Sequence, residues 1–399
     1  MNLNLRDQIP SLKNKIYFNY GGQGPLPKPS LDEIIKSWEI IQEIGPFTNN
    51  VWEFINKETI STKLLLSKIL GVNTKNIALS ENISTGIVLP LWGIKFNYGD
   101  ELLISDCEHP GIIAACRELC RRNNLELNIF PIQKIKGLES DKFISEFTKY
   151  LNKKTRVVII SHLLWNYGFK IPLKELSKEI NKSTNDPFLI VDGAQSFGHL
   201  DIKDQVKYSD IYAITSHKWA CGPEGLGAFF VSDRFLNSSN PTIIGWKSLK
   251  REQGIYEPFD DLYQKDARKY EIATSCIPLL AGLRKSLKLL KIDQFEEERN
   301  KTITTMSNKL WIELNNIENI NLVLDYPLDN GIVSFDIEGI KNKQRLINEL
   351  GKRNIWIRII EDPRWFRACI HQMTTSEEIN LFIKQIKLIL QSTNFHQGI

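Results

Sequence analysis

The sequence predicts an α/β fold with a mostly parallel, doubly wound sheet that is covered by helices on both faces. From about residue 77 onwards, short apolar runs alternate with stretches of helical periodicity, which is the pattern of strands joined by helical crossovers. Several of these runs are apolar throughout, as in strands that are buried on both faces. At 399 residues, the chain is long enough for two domains, or for one large domain with an elaborated second part.

The composition is that of an ordinary globular protein and argues against several classes of function. Apolar residues make up 42% of the chain and charged residues 25%, and the formal net charge of +4 is too small to indicate nucleic-acid binding. Six scattered cysteines form no CxxC pair, which argues against a disulfide framework or a zinc site. The N-terminus is charged where a signal peptide needs an apolar core, and no apolar run is long enough to span a membrane. We therefore expect a cytoplasmic protein with no bound metal, no membrane segment and no nucleic-acid partner.

The first predicted elements are two helices, at 29–44 and 57–70, the second of which ends at the C-cap Gly71. Strands are predicted next, at 101–105, 127–130, 157–161, 188–191, 211–215 and 226–231. The polar segment 241–268 has no assignment.

A smaller α/β unit is predicted for the C-terminal part of the chain. A helical stretch at 279–314 precedes strands at 331–337, 355–358 and 366–371 and a helix at 341–353. The closing helix is predicted to open with a capping box that runs from Thr374 to Glu377.

Lys218 and Asp192 stand where a pyridoxal phosphate (PLP) site needs a lysine and an aspartate. Lys218 follows the strand predicted at 211–215, and Asp192 follows the one at 188–191. Ligands of open α/β sheets bind at the carboxyl ends of the strands. A lysine there can form a Schiff base with the cofactor's aldehyde, and an aspartate can keep its pyridine nitrogen protonated. Each residue alone is more commonly a solvated or turn residue, but their joint placement favours an enzyme.

Two further turns add candidates for the same edge of the sheet. The turn at 82–86 contains Ser84 and Thr85 and leads into a helix, so its hydroxyls and backbone N–H groups form a phosphate cradle at the positive end of the helix dipole. Pro90 is expected to bend or delay that helix. His109 follows another strand. Taken alone, the first turn is an ordinary helix cap and His109 an ordinary loop histidine.

Five motifs resemble those of the class V, fold-type I PLP-dependent enzymes, a family that includes cysteine desulfurases and isopenicillin N epimerase-like proteins. The motifs are Asn-Tyr-Gly-Gly-Gln-Gly (19–24), Asp-Cys-Glu-His-Pro-Gly (106–111), Ser-His-Leu-Leu-Trp-Asn (161–166), Val-Asp-Gly-Ala-Gln-Ser (191–196) and Ser-His-Lys-Trp (216–219). Within the family, the resemblance is strongest to the cystine C–S lyases of cyanobacterial type. It implies the fold-type I transferase fold, with a large domain of residues 15–265 around a mostly parallel seven-stranded sheet. Residues 1–14 and 266–399 would form a smaller α/β domain.

The resemblance also implies roles for individual residues. Lys218 would carry the Schiff base, Asp192 would pair with the pyridine nitrogen, His109 would stack on the ring, and Gln195 would contact the ring hydroxyl. The phosphate would be bound by Ser84, Thr85, Thr215 and His217, and by Thr274 from a second subunit, which implies a homodimer with shared active sites. The substrate carboxylate would be held by Arg358 and Arg367, because a guanidinium matches a carboxylate with two parallel donors. Trp165 and Trp246 would shape the substrate pocket, although core packing is the alternative for both, and a surface position is the alternative for the arginines.

The interval between the two arginines favours one reaction within the family. Cysteine desulfurases carry a nucleophilic cysteine on a loop between their corresponding strands, whereas residues 359–366 contain none. Cys369 lies two residues after Arg367, inside a predicted strand, where a buried apolar role is expected. The resemblance therefore implies β-elimination on L-cystine or L-cysteine, giving cysteine persulfide or sulfide with pyruvate and ammonia. The sulfur would go to an acceptor protein, for example in iron–sulfur cluster assembly.

Other functions remain open from the sequence alone. The nearest is a cysteine desulfurase or selenocysteine lyase that uses another thiol. A class V aminotransferase or an isopenicillin N epimerase-like enzyme is the next alternative, and a non-catalytic binding module is the last.

Overall fold

The computed structural model describes residues 3–135, 139–250, 262–294, 297–361 and 364–392. Part of the unassigned segment, residues 251–261, and two positions between the arginines, residues 362–363, lie outside the described residues.

The centre of the molecule is a seven-stranded sheet. Its strands are β2 (Ile77–Ser80), β3 (Glu101–Ser105), β4 (Glu126–Phe130), β5 (Thr155–Ser161), β6 (Phe188–Asp192), β7 (Ile211–Thr215) and β8 (Gly227–Val231), after the short β1 (Ile16–Tyr17). They are ordered β2-β8-β7-β6-β5-β3-β4. Only β8 runs antiparallel to its neighbours in this sheet. The predicted mostly parallel sheet of seven strands is thus confirmed.

Consecutive residues of the inner strands pack into different hydrophobic cores. Leu103 and Val158 belong to one core, whereas their neighbours Leu102 and Val157 belong to another on the opposite face. Side chains alternate between the two faces of a strand, so both faces of the sheet are covered and the apolar runs are continuous for that reason. The covering and N-terminal helices are α1 (Leu3–Arg6), α2 (Lys28–Ile44), α3 (Asn49–Leu70), α4 (Ile83–Trp92), α5 (Pro110–Asn123), α6 (Ser140–Thr148), α7 (Leu173–Ile180), α8 (Asp233–Ser238) and α9 (Pro278–Leu289).

The C-terminal part forms a second sheet with its own core. Strands β9 (Ile320–Leu322), β10 (Ile332–Ile337), β12 (Arg358–Ile359) and β13 (Phe366–Cys369) are antiparallel in the order β12-β13-β10-β9, and β11 (Ile355–Trp356) pairs in parallel with β1. Helices α10 (Glu297–Asn315), α11 (Lys343–Gly351) and α12 (Ser376–Gln391) complete this unit. The β1–β11 pair brings residues 16–17 to this unit, and the domain boundaries at 14/15 and 265/266 stay predictions.

Three element boundaries differ from the sequence expectations. The helix predicted at 57–70 begins earlier, at Asn49, and the stretch 279–314 is two helices. The strand predicted at 355–358 is split between two sheets, because Ile355–Trp356 pairs with β1 and Arg358–Ile359 with β13.

The expected delay of helix α4 by Pro90 and the predicted position of the closing capping box are wrong, whereas a bend at Pro90 stays a prediction. Helix α4 begins at Ile83, directly after the turn, and ends two residues after Pro90. The missing proline N–H therefore affects only the last turn of the helix. The capping box is formed one position later, by Thr375 and Glu378, because the neighbouring pairs Thr374/Thr375 and Glu377/Glu378 offer two registers with the same spacing.

Candidate active site

One cavity collects most of the predicted site residues at the carboxyl ends of β5, β6 and β7, next to the β12–β13 hairpin. It is lined by Ser84, His109, Trp165, Asp192, Gln195, His217, Lys218, Arg358 and Arg367, together with Gly21, Gly22, Asn82, Ile83, Ile112, Ser161 and Ala194. Parallel strands end at the same edge of a sheet, which is why residues far apart in the sequence meet here.

Lys218 lies in a turn after β7 that is fixed by backbone hydrogen bonds. The Gly24 N–H donates to the His217 carbonyl over 2.6 Å, and the Cys221 N–H donates to the Lys218 carbonyl over 2.9 Å. Burial lowers the pKa of the Lys218 ammonium to about 8, with Asp192 opposing that shift and Arg367 adding to it. Lys218 thus loses its proton more readily than an ordinary lysine, and its neutral amine can act as a nucleophile or a base.

Asp192 is the last residue of β6 and is 5% exposed. Its Oδ1 accepts a hydrogen bond of 2.8 Å from the Ala194 N–H, which leaves Oδ2 for a second donor. Burial raises the pKa of this carboxyl, whereas the Lys218 charge lowers it. A cationic group beside Oδ2 would complete the site electrostatically.

His109 caps helix α5. Its Nδ1 accepts from the Gly111 N–H over 3.2 Å, so a neutral ring carries its proton on Nε2. Burial and the Lys218 charge lower the pKa of His109. The ring stands 6.0 Å from the Trp165 ring, with a 60° angle between their planes, and both rings line the cavity.

The predicted phosphate residues divide into two groups. Ser84 and His217 line the cavity. Thr85 and Thr215 are not among the lining residues, but each makes a hydrogen bond to one of them. Asn82 Oδ1, the N-cap of α4, accepts from Thr85 N over 2.9 Å and from Thr85 Oγ1 over 3.1 Å. Thr215 Oγ1 lies 2.9 Å from His217 Nδ1. Asn82 is a lining residue to which the sequence analysis gave no role, although its place before an apolar helix is an N-cap signal.

The two arginines are cross-strand partners in the β12–β13 hairpin. Arg367 is 1% exposed, and its Nη1 donates to the Trp165 carbonyl over 2.6 Å. Its Nε and Nη2 are buried without a hydrogen-bond partner among the described residues. Burial lowers the pKa of Arg367, the neighbouring Cys369 opposes that shift, and Arg358 adds to it. These two N–H donors of Arg367 are available to a bound anion. Arg358, by contrast, is exposed.

Two predicted residues lie away from this cavity within one chain. Thr274 lines a separate cavity with Lys247 and Ser275. Trp246 is 47% exposed and packs edge-to-face on Trp52 at 5.9 Å. A role for Thr274 in a neighbouring subunit's site stays a prediction.

Glu108 is a buried carboxyl that the sequence analysis missed. Its two oxygens accept hydrogen bonds from Ser105 Oγ over 2.5 Å and from Ser161 Oγ over 2.6 Å. Burial raises the pKa of Glu108 to about 7 against these hydrogen bonds, and the Asp192 charge raises it further. The sequence offered one indication of a functional role for Glu108, its position next to His109. The hydrogen bond from Ser161 to Glu108 is visible only in the folded structure.

The lining of the cavity offers the chemical groups that PLP requires. A Cβ on Gly21 would lie 2.9 Å from Cys369 Sγ and 3.2 Å from Arg367 Cζ, so this wall has room only for backbone. Lys218 would offer the amine for the aldehyde, Asp192 an acceptor for the ring nitrogen, and the start of α4 an anion site for the phosphate. Fold and site together define a PLP-dependent enzyme of fold type I.

Comparison with known proteins gives the family. Residues 56–360 match the family model for class V aminotransferases. The structure is similar to that of the cystine C–S lyase C-DES in complex with its reaction product cysteine persulfide, with 34% identity, a TM-score of 0.89, and 95% of this chain and 99% of that one covered. A variant of C-DES has also been solved with glycine linked covalently to its PLP cofactor.

Curated relatives give the same result at lower identity. A probable cysteine desulfurase of Pyrococcus abyssi is 20% identical over 98% of both chains, and the isopenicillin N epimerase of Streptomyces clavuligerus is 23% identical over 58% of this chain and 57% of that one. This chain belongs to the class V aminotransferase family. It is a PLP-dependent enzyme of the cysteine desulfurase and cystine C–S lyase type.

Two further properties concern metals and membranes. Within the described ranges, no cluster of three or more histidine, cysteine, aspartate or glutamate side chains is suited to hold a metal ion. Every helix in those ranges is too short or too polar to cross a membrane.

Proposed function

We propose that this enzyme catalyses β-elimination on L-cystine, in which the Cβ–S bond breaks to give cysteine persulfide and aminoacrylate, and one molecule of water hydrolyses the aminoacrylate to pyruvate and ammonia. L-Cysteine, which releases sulfide, would be the lesser substrate. The observation that supports this most is the absence of a thiol from the cavity. None of its described lining residues is a cysteine, and the sequence between Arg358 and Arg367 contains none. Without a thiol to attack the substrate's sulfur, cleavage of the Cβ–S bond by elimination is the reaction that remains.

The chain's own residues perform the steps around the cofactor. Bound PLP supplies an electron sink for the charge that develops at the substrate's Cα. Arg367 Nε and Nη2 bind and orient the substrate carboxylate. Lys218 Nζ, whose pKa is lowered to about 8, removes the Cα proton. Asp192 Oδ2 holds the proton of the pyridine nitrogen.

The leaving group favours cystine over cysteine. A persulfide anion spreads its charge over two sulfur atoms and leaves more readily than hydrosulfide. The persulfide would then be available to a sulfur acceptor protein, including those that assemble iron–sulfur clusters. The test is to assemble an iron–sulfur cluster on a cluster-free acceptor protein with this enzyme and cystine as the only sulfur source. If no cluster forms even when cysteine persulfide is added directly, that acceptor protein is excluded.

A homodimer with shared active sites is part of the proposal. Large apolar side chains of the α2–α3 face stand exposed, among them Trp38, Trp52, Ile60 and Leu64, and Trp246 packs on Trp52 at its edge. Covering them with a second copy of this chain would bury apolar surface. Thr274 would then contribute to the partner's phosphate site. A single-chain mass in sedimentation at assay concentrations contradicts this.

A cysteine desulfurase is the alternative, because several curated relatives carry that name. Its thiol would have to be Cys369, which lies near the site. Cys369 is 0% exposed within β13, and its N–H donates to the Phe18 carbonyl over 2.8 Å. A residue held in a strand in this way lacks the mobility that a sulfur-carrying nucleophile needs.

Product analysis of the PLP-loaded protein tests the proposal. Cystine, cysteine and cysteine sulfinate are supplied separately, and pyruvate, alanine and persulfide are measured. We expect pyruvate and persulfide from cystine, and we expect Cys369→Ala to keep most of this activity, as the matched variant of the exposed Cys276, Cys276→Ala, should. Alanine as the main product, or loss of sulfur release in Cys369→Ala alone, would overturn the elimination reaction.

A further inference from the structure

Both ends of the Gln195 amide are engaged by protein groups of fixed chemical type. Trp219 Nε1 donates to Gln195 Oε1 over 2.8 Å, and Gln195 Nε2 donates to the Gly21 carbonyl over 2.9 Å. An indole N–H can only donate, and a carbonyl oxygen can only accept. The two contacts therefore allow one orientation of the amide, in which Nε2 keeps one uncommitted N–H. Gln195 lines the cavity with Lys218 and Asp192.

Trp219 is itself held in a stack of buried rings. His199 stacks on its indole with a centroid distance of 3.6 Å and an angle of 14°. The Gly331 N–H donates to His199 Nε2 over 2.8 Å, so His199 Nδ1 carries the ring proton and donates to the Gln195 carbonyl over 3.1 Å. On the other side, His371 Nε2 lies 3.1 Å from the Trp219 carbonyl. Backbone and side chain of Gln195 are thus fixed by one rigid group.

Burial keeps this stack neutral at the pH at which the enzyme would work. It lowers the pKa of His199 to about 3 and that of His371 to about 4. Neither ring is therefore expected to gain a charge near neutral pH.

We propose that Trp219 is a positioning residue, whose indole N–H fixes the Gln195 amide so that an N–H faces the ring hydroxyl of the cofactor. A donor at that point stabilises negative charge on the ring oxygen, whereas a flipped amide would present its carbonyl oxygen and repel that charge. The inference rests on PLP binding and on the contact of Gln195 with the cofactor ring. It does not depend on the substrate, so it survives if the proposed elimination of cystine fails.

Trp219→Phe separates this role from simple packing, because it keeps a ring in the stack and removes only the indole N–H. The measurement is the visible absorption of the PLP-loaded protein, without substrate, as a function of pH. We expect the midpoint of the absorption change to rise, by up to about one pH unit. The Gly21 carbonyl still holds Gln195 Nε2, so the form with more negative charge on the ring loses only part of a hydrogen bond of roughly 1.5 kcal/mol. An unchanged midpoint overturns the proposal.

Trp311→Phe is the matched control. Trp311 Nε1 is also buried but has no hydrogen-bond partner among the described residues, and it lies beside a cavity that does not contain Lys218. Its loss should leave the midpoint at the wild-type value. A shift as large as that of Trp219→Phe would mean that any lost indole alters the spectrum, and would overturn the proposal.

A double-mutant cycle tests whether Trp219 acts through Gln195. Gln195→Leu should raise the midpoint, and adding Trp219→Phe to it should change the midpoint no further. Additive shifts would show an independent effect and sink the proposal.

If Trp219→Phe does not fold, the hydrogen bond can be tested by comparing the wild-type protein with Gln195→Leu, both of which keep Trp219. Nitrogen-15 labelling of the tryptophans in cofactor-free protein should show one indole N–H resonance of the nine that moves upfield in Gln195→Leu. An unchanged indole spectrum contradicts the hydrogen bond itself.

Discussion

The two walls of the active-site cavity differ in how far the protein satisfies its own polar groups. On the wall made by the large sheet, Asp192 accepts from a backbone N–H and the Gln195 amide is engaged at both ends. On the wall made by the β12–β13 hairpin, Arg367 keeps two buried donors without a partner among the described residues. Buried polar groups are normally hydrogen-bonded. The protein therefore holds most polar groups of the first wall, which we call the cofactor wall, and leaves Asp192 Oδ2 and one N–H of Gln195 for a bound group. The second wall, which we call the substrate wall, keeps two donors that a bound anion would satisfy.

Arg367→Met should give the largest effect and breaks the substrate wall alone. It removes the charge and both free donors, so kcat/KM for cystine should fall by about 10²-fold or more. The free energy of unfolding of the cofactor-free protein should change little or rise by about 1 kcal/mol, because an uncompensated buried charge is replaced by an apolar side chain. Steady-state assays and urea titration measure the two quantities.

Arg358→Met is the control for that comparison. Arg358 is exposed and well solvated, so its loss should reduce kcat/KM less than that of Arg367. If Arg367→Met destabilised the protein by several kcal/mol, the guanidinium would be a structural group, and the contrast between the walls would not hold.

Gly24→Ala tests the rigidity of the cofactor wall. A Cβ at Gly24 would lie 1.9 Å from the Lys218 carbonyl oxygen and 3.0 Å from Cys221 Sγ, so the turn that carries Lys218 must move. We expect a loss of about 2 kcal/mol of unfolding free energy and weaker retention of PLP on dialysis. Gly351→Ala is the control, because its nearest atoms would be 3.8 Å away in Trp356; a similar loss there would mean that the Gly24 contact is not special.

The pH dependence of PLP attachment to the cofactor-free protein is the smallest expected effect. The neutral amine is the reactive form, and burial lowers the pKa of Lys218 from its ordinary value to about 8. The attachment rate should therefore rise with pH and reach half its maximum near pH 8. Asp192→Asn should lower this midpoint, because the aspartate charge raises the pKa of Lys218, and Arg358→Met should raise it. Stopped-flow absorption measures the rates; shifts in the same direction would contradict the charge assignment.

The sequence predicted the parts of this site that depend on the edge of a parallel sheet. Lys218, Asp192, His109 and Ser84 each follow a strand, and such positions converge whatever the details of packing. The arginines came from the resemblance, and the hairpin register Arg358–Arg367 brings them together.

Features that depend on tertiary packing escaped the sequence. The antiparallel direction of β8 is an exception, because the short connection 216–226 from β7 leaves no room for a crossover and its length was already visible in the sequence. Glu108 gained its importance only through Ser161, which comes from another strand. Trp246 packs on Trp52 and does not line the cavity of its own chain. The sequence of one chain does not tell a residue that acts in the partner's site from one that acts in its own.

The pairing of Arg358 with Arg367 places two like charges opposite each other in a hairpin of only a few residues per strand. Like charges in directly opposed positions destabilise a strand pair. An anion bound between the two arginines would turn this repulsion into a net attraction that stabilises the hairpin. The local opening free energy of the hairpin is thus linked to ligand occupancy, and it rises with the concentration of any carboxylate that binds there. We therefore expect the amide protons of β12 and β13 to exchange faster in the empty enzyme than in the enzyme saturated with a carboxylate ligand.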